Sequence, residues 1–297
     1  MEMIHWLKKS TRRINDRLKL YLPLIKILQT GLLLITGFTG FISARMEHIS
    51  LLQTAGLVGS LFLAISGSTV LNMVYDRDID AKMNRTERRP IASGRISIRE
   101  ALILGSAISL VGLAWAFSMS LIYGVVVFSG LFIDVVVYTI WLKRKTALSI
   151  VWGGISGGMP ILAGRVLGLG HIDFIGILLS ISILLWIPTH ILTFSMRYFD
   201  DYNRAGIPTF PSSYGYQNTR FIIALSCIGA SVAIGLGCYA LQLAGGYLRL
   251  LAVLTVGFVG LAVYSIQRPS EKNNLGLFKY ASFFMLGSMW MIVMGTL

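Results

Sequence analysis

Apolar residues run through this chain in blocks of about twenty, broken by short polar or basic stretches. Leu51–Tyr75, Ala147–Ile161 and Phe221–Leu241 carry no charged residue at all. A helix needs about 20 apolar residues to cross the hydrocarbon of a bilayer. The blocks therefore predict nine membrane-spanning helices, at approximately 22–43, 51–75, 100–118, 120–141, 148–169, 174–196, 220–242, 247–266 and 277–296, the third and fourth joined tightly around Met119. Ahead of them, segment 1–21 reads as an amphipathic interfacial stretch. It has Trp6, Leu7, Ile14 and Leu18 towards lipid and Lys8, Lys9, Arg12 and Arg13 towards water. Leu22–Ser43 is longer than the apolar core of a signal peptide and has no clear cleavage site, so it is expected to remain as the first span.

Composition removes the competing classes. The chain is 55% hydrophobic and only 13% charged, with a mean hydropathy of +0.72. A soluble domain is about 25% charged. A net charge of +13 first suggests nucleic acid, but basic loops are also how membrane proteins fix their orientation. With the amino terminus inside, 22 of the 26 Lys and Arg residues fall on the cytoplasmic side. The carboxyl terminus is then outside. Cys227 and Cys238 lie eleven residues apart in one span, about 16 Å along a helix, too far for a disulfide. The predicted architecture is a single all-α polytopic membrane domain over 1–297, nine transmembrane helices around a central cavity. Its long polar loops, 76–99 and 197–219, face the cytoplasm and are expected to carry the chemistry.

The densest chemical signal stands at the inner end of the second span, in Asn72-Met-Val-Tyr-Asp76-Arg-Asp78-Ile-Asp80. Asn72, Asp76 and Asp80 follow i, i+4, i+8 and share one helical face; Asp78 points elsewhere, towards Arg77 or Lys82. Three oxygen-bearing side chains at a membrane boundary suit magnesium, a hard ion usually completed by substrate phosphates. Arg85, Arg88, Arg89 and Arg95 follow directly, and arginine's planar fork of donors matches phosphate oxygens. A second acidic pair, Asp200–Asp201, follows the sixth span on the same predicted side. The two clusters are placed to face each other across a cavity, as the ends of two topologically related halves. No Ser/His/Asp or Cys/His set offers a covalent nucleophile.

These residues resemble the UbiA superfamily of intramembrane prenyltransferases: the Asn72-xxx-Asp76-xxx-Asp80 ladder, and an acidic loop after the sixth of nine spans. The details are most similar to its haem-prenylating branch, the protoheme IX farnesyltransferases. They are Asp80-Ala-Lys-Met83-Asn-Arg85-Thr86-Glu-Arg88-Arg89-Pro90, Tyr138-Thr139-Ile-Trp-Leu142-Lys143-Arg144-Lys145-Thr146, Gly153 to Pro160, and Asp200-Asp201-Tyr202-Asn-Arg-Ala205-Gly206-Ile207-Pro208. The resemblance implies that Asn72, Asp76, Asp80, Asp200 and Asp201 hold one or two magnesium ions. It implies that Lys26, Arg85, Arg88, Lys143 and Arg144 bind the diphosphate, and that Tyr138 presents its π face to an allylic cation. His190 matches a histidine common in that branch and is assigned, with Arg165, to the acceptor; Arg165 stands where a tryptophan is usual and is a candidate partner for a propionate. The implied substrates are farnesyl diphosphate and haem B, the latter as acceptor rather than cofactor. The implied setting is a cell membrane, with no nucleic acid and with contacts to haem-modifying or oxidase-assembly proteins. A quinone precursor, a chlorophyllide or a lipid is the alternative acceptor. A transporter is the more distant reading, since the glycine-rich run before Pro160 also suits a broken transport helix.

Overall fold

The computed structural model describes residues 19–297 and is helical throughout, with no strand among them. The amphipathic stretch expected before residue 19 lies outside the described residues. A 3₁₀ turn, Leu22–Ile25, leads into α1 (Ile27–Ile42). Then follow α2 (Leu51–Tyr75), the short α3 (Arg77–Asp80), α4 (Ile98–Met119), α5 (Leu121–Phe132), α6 (Ser149–Leu169) and α7 (Phe174–Arg197). The short α8 (Phe199–Arg204), then α9 (Phe210–Ala240), α10 (Gly245–Gln267) and α11 (Glu271–Thr296) complete the chain. Among the described residues, eight helices are long and apolar enough to cross a membrane, the π-helical continuation of α5 to Leu142 included, and nine if the pair Lys19–Ile25 and Ile27–Ile42, bent by 45°, counts as one span.

Side-chain caps define where several helices begin. Ser50, Ser97, Asp173 and Ser270 each accept the backbone N–H three residues on, and Thr209 and Ser212 form a reciprocal capping box. Such caps are worth about 1 kcal/mol apiece. The box starts α9 ten residues before the hydropathy-based boundary of 220. Hydropathy misses this stretch because Ser212, Ser213, Tyr214, Gln217 and Asn218 are polar, although the backbone there is helical apart from a break at Gly215 (φ 82, ψ 163). Loop 197–219 is thus largely two helices.

Helix packing rests on small residues, as membrane interfaces do when no hydrophobic drive separates helix from lipid. A Cβ on Gly40 would meet the Ile161 carbonyl oxygen at 1.9 Å, and one on Gly164 would meet the Gly37 carbonyl oxygen at 1.8 Å. Backbones α1 and α6 therefore touch. Between α2 and α4, Gly67 lies against Ser109 and Gly112 against Ala64 in the same way. The outward faces of α4, α5 and α10 stay apolar and exposed, with Leu110, Val111, Leu121, Val253 and Val256 among them, as a hydrocarbon solvent demands.

Successive spans pack side by side, and contacts of α11 with α1 and α7 close the bundle. Helices α1, α2, α5, α6, α7 and α11 surround a cavity, while α4, α9 and α10 contribute no lining residue. At the loop-bearing end, Ile79 and Met83 pack with Ala205, Ile207 and Tyr202. The two long loops are docked on each other through this apolar contact.

Candidate functional site

The acidic ladder survives a break in its helix. At Asp76 the backbone leaves helical geometry (φ −85, ψ 0), and α3 begins one residue later. Asp76 N–H still donates to the Asn72 carbonyl at 2.9 Å and Asp80 N–H to the Asp76 carbonyl at 2.8 Å. The four-residue spacing is kept, and Asn72, Asp76 and Asp80 all line the cavity. Each has a distinct partner. Lys143 donates to Asp76 Oδ2, Arg89 donates through Nη1 to both Asp80 oxygens at 2.7 and 2.9 Å, and Asn72 Nδ2 donates to Asp134 at 2.7 Å. Two acceptors are left over, Asn72 Oδ1 and Asp76 Oδ1, buried and without a hydrogen bond. Buried polar atoms are nearly always satisfied, so two orphaned oxygens on residues that line the cavity mark a place built for something else.

The opposite wall comes from an unexpected backbone. Beyond Phe132, α5 continues as a π-helix over Ile133–Leu142, and the Lys143 N–H reaches back to the Tyr138 carbonyl five residues earlier at 2.8 Å. Such wide turns are rare and concentrate at functional sites. The geometric effect is large. In an α-helix, at 3.6 residues per turn, positions nine apart stand on opposite faces. At roughly 4.4 residues per turn for a π-helix they return to the same face. Asp134, Tyr138, Thr139 and Lys143 accordingly all face the cavity, with the Lys143 ammonium 5.7 Å from the Tyr138 ring centre.

The second acidic pair behaves differently. Asp201 is buried and accepts the backbone N–H groups of Asn84 and Arg85 at 3.3 and 3.4 Å, while Arg204 donates to the Asn84 side chain at 2.7 Å. Asp200 is exposed. Neither carboxylate lines the cavity; from this segment Tyr202 does. Asp201 thus clasps the two loops together and holds Arg85 at the rim, its guanidinium 4.8 Å from the Phe194 ring and 5.4 Å from the Tyr198 ring.

The cavity, of about 570 Å³, is divided by chemistry. Its mouth carries Lys26, Arg85, Arg89 and Lys143 against Asp76, Asp80 and Asp134, four cations to three carboxylates. Lys26 sits there because its backbone takes a left-handed conformation (φ 44, ψ 61) at the junction with α1. Among the described residues, neither Lys26 nor Arg85 has a carboxylate partner. Below the mouth the walls are apolar, with Leu33, Leu61, Val127, Met159 and Pro160. On the α7–α11 side they turn aromatic. His190 is stacked between Trp186 and Phe278, ring centres 5.0 and 4.2 Å away, and its Nδ1 is buried without a partner. An anionic head and a long apolar body fit this shape.

Three expected contributors lie elsewhere. The Arg88 side chain is 92% exposed and pairs loosely with Glu87 at 3.8 Å; the turn from Thr86, tied to the Asp80 carbonyl at 2.9 Å, aims Arg89 inward instead. Arg144 is turned outward and donates to both Asp78 oxygens at 2.6 and 2.8 Å. These donors hold the Asp78 carboxyl below its ordinary range. Asp78 therefore engages Arg144, not Arg77 or Lys82. Arg165 is buried at the far end of α6, donating to Asp173 at 2.7 and 2.8 Å and to the Ser43 carbonyl at 2.6 Å. Asp134 escaped the sequence reading although it carries a signal, a lone carboxylate within an apolar run. Arg89 lay unassigned inside a quoted motif, and Trp186, Tyr202 and Phe278 gave no sign of their convergence.

The residues present fit a divalent cation. Asn72 Oδ1 and Asp76 Oδ1 are hard oxygen donors with nothing bonded to them, and Asp80 stands on the same wall. Magnesium is typically held by one or two carboxylates, with substrate phosphate and water completing the shell. Carboxylates and ammonium or guanidinium groups that pair with one another here have the charges needed to pair instead with a metal and a diphosphate.

A sequence profile of the UbiA prenyltransferase family matches residues 33–287. A protoheme IX farnesyltransferase of Archaeoglobus fulgidus is 40% identical over 268 residues, covering 90% of this chain and 94% of the relative. Among solved structures, a digeranylgeranylglyceryl phosphate synthase superimposes with a TM-score of 0.79 at 20% identity, over 95% of this chain and 99% of its own. A UbiA homologue from Archaeoglobus fulgidus bound to GPP and Mg²⁺ superimposes with a TM-score of 0.69 at 16% identity, over 92% and 99%. At such identities the two structures speak for the fold.

Proposed function

Since this chain belongs to the UbiA prenyltransferase family, we propose that it transfers the farnesyl group of farnesyl diphosphate to a vinyl group of haem B, giving haem O. The observation that carries this reading is the pair of orphaned oxygens on Asn72 and Asp76 beside cations, above an apolar shaft. Asn72, Asp76 and Asp80 would hold magnesium, which when bound supplies charge neutralisation for the departing diphosphate. Lys26, Arg85, Arg89 and Lys143 grip the phosphate oxygens and stabilise the charge that develops as the carbon–oxygen bond breaks. Asp200 and Asp201 are the candidates for a second ion; Asp201 would first release the Asn84 and Arg85 amides.

The allylic carbon then faces Tyr138, whose ring can stabilise a cation, inside walls that exclude water. The vinyl carbon of the acceptor bonds to that carbon, and water adds to the resulting cation with loss of a proton. A flat porphyrin matches the aromatic side formed by Trp186, His190, Phe194 and Phe278, with His190 orienting it. Arg165 is tied up beyond the cavity by Asp173 and Ser43 and is not available to a propionate. Entry from lipid is supported by Leu28 on α1 and Ile191 on α7, which are exposed and also line the cavity. The excess of Lys and Arg in the long loops supports a diphosphate mouth on the cytoplasmic side of a cell membrane, where haem-handling proteins would deliver the acceptor.

Purified protein incubated with haem B, farnesyl diphosphate and magnesium should yield hydroxyethylfarnesyl haem by mass spectrometry. A product formed only with a quinone precursor, chlorophyllide or lipid acceptor would overturn the haem assignment and leave prenyl transfer standing.

A further inference from the structure

Asn72 is useful as a metal ligand only if its carbonyl end faces the ion. An amide has two ends of nearly equal size and opposite hydrogen-bonding sense, so something must fix which end points where. In this structure the Asn72 Nδ2 donates to Asp134 Oδ2 at 2.7 Å, and Ser68, one turn earlier on α2, donates to the same oxygen. A carboxylate can only accept. It therefore selects the NH₂ end of Asn72 and drives Oδ1 the other way, leaving that atom buried and unpartnered, as is Asp76 Oδ1 one turn further on. Asp134 stands in the first turn of the π segment.

We propose that Asp134 is a positioning residue for the metal–diphosphate site, acting through Asn72 by setting the direction of its amide. The inference rests on the proposed magnesium-dependent prenyl transfer and adds a residue to it. Carboxylates that orient the ligands of a metal in this way are typically worth 10- to 100-fold in metal affinity.

A reciprocal exchange tests the idea without relying on turnover. Mn²⁺ binding is followed by electron paramagnetic resonance in the presence of unreactive farnesyl thiodiphosphate, for wild type, Asp134→Asn, Asn72→Asp and the double variant. Asp134→Asn nearly preserves shape but lets both amides turn, and affinity should fall about tenfold or more. Asn72→Asp sets two carboxylates against each other and should also weaken binding. In the double variant the amide at 134 donates to the carboxylate at 72, leaving one oxygen for the ion and an acceptor for Ser68. Recovery of at least half of the lost logarithmic affinity supports the proposal. A double variant no better than the worse single variant, with thermal midpoints unchanged throughout, overturns it, as does wild-type affinity in Asp134→Asn. If wild type itself binds no Mn²⁺ with the analogue, the underlying functional reading fails instead.

Discussion

Replacing Arg165 with leucine separates a structural role from an acceptor-binding one. The guanidinium is 5% exposed and makes four hydrogen bonds, two to Asp173, one to the Ser43 carbonyl and one to the Ser43 hydroxyl. It thereby ties the last residue of the α1 turn, the body of α6 and the N-cap of α7 into one knot. Burial alone would push the Asp173 carboxyl up, but Arg165 and the Gly176 amide outweigh it and hold the group below its ordinary value. Removing the arginine strands a charge and a carbonyl. Breaking a buried pair from one side costs about 3–5 kcal/mol. Asp173 keeps its bond to the Gly176 N–H at 2.9 Å, and its side chain is 21% exposed, so the lower end, about 3 kcal/mol, is expected. Arg165→Leu/Asp173→Asn should recover part of this, because asparagine still caps α7 while the stranded charge is gone. The assay is unfolding in detergent, alongside KM for both substrates. Unchanged stability with a selective rise in acceptor KM would refute this account and return Arg165 to the acceptor.

Three further outcomes follow from the packing and the charges. Asp80→Asn keeps the shape of the wall but removes a charge and leaves Arg89 unpaired, and turnover should fall roughly a hundredfold or more in a product-mass assay while the fold survives. Gly164→Leu drives a side chain into the Gly37 carbonyl and should destabilise by at least about 3 kcal/mol, seen as loss of monodisperse protein in detergent; normal yield would sink the close-contact argument. The Asp78–Arg144 pairing depresses the Asp78 pKa, so its small stabilisation is present above the ordinary carboxylate value and fades as pH falls. The difference in melting between wild type and Asp78→Asn should hold steady at neutral pH and begin to fall away only below about pH 4; a difference that grew on acidification would contradict the sign.

Most of the bundle was legible because hydropathy reports what lipid demands: the boundaries 51–75 and 174–196 agree with α2 and α7 to within a residue. The ladder was legible because spacing by four survives even a broken helix. Other features depend on contacts between distant segments, which a linear reading does not carry. Nothing local distinguishes Arg88 from Arg89; the Thr86 turn does. Nothing in Asp78 names Arg144, some 66 residues away. The early start of α9 is written in its capping box rather than its hydropathy. The π segment is hidden for a deeper reason, since an apolar run looks the same at either pitch.

That pitch makes chain length between Phe132 and Lys143 a discrete quantity. At about 18° per residue between the two pitches, a stretch of unchanged length wound as the common helix would turn Lys143 by roughly 160° relative to Asp134. Lys143 would then point away from the cavity that Asp134 lines. Substitutions along this stretch can accumulate one at a time, whereas a change of length must come with a change of pitch if Asp134 and Lys143 are to keep a common face.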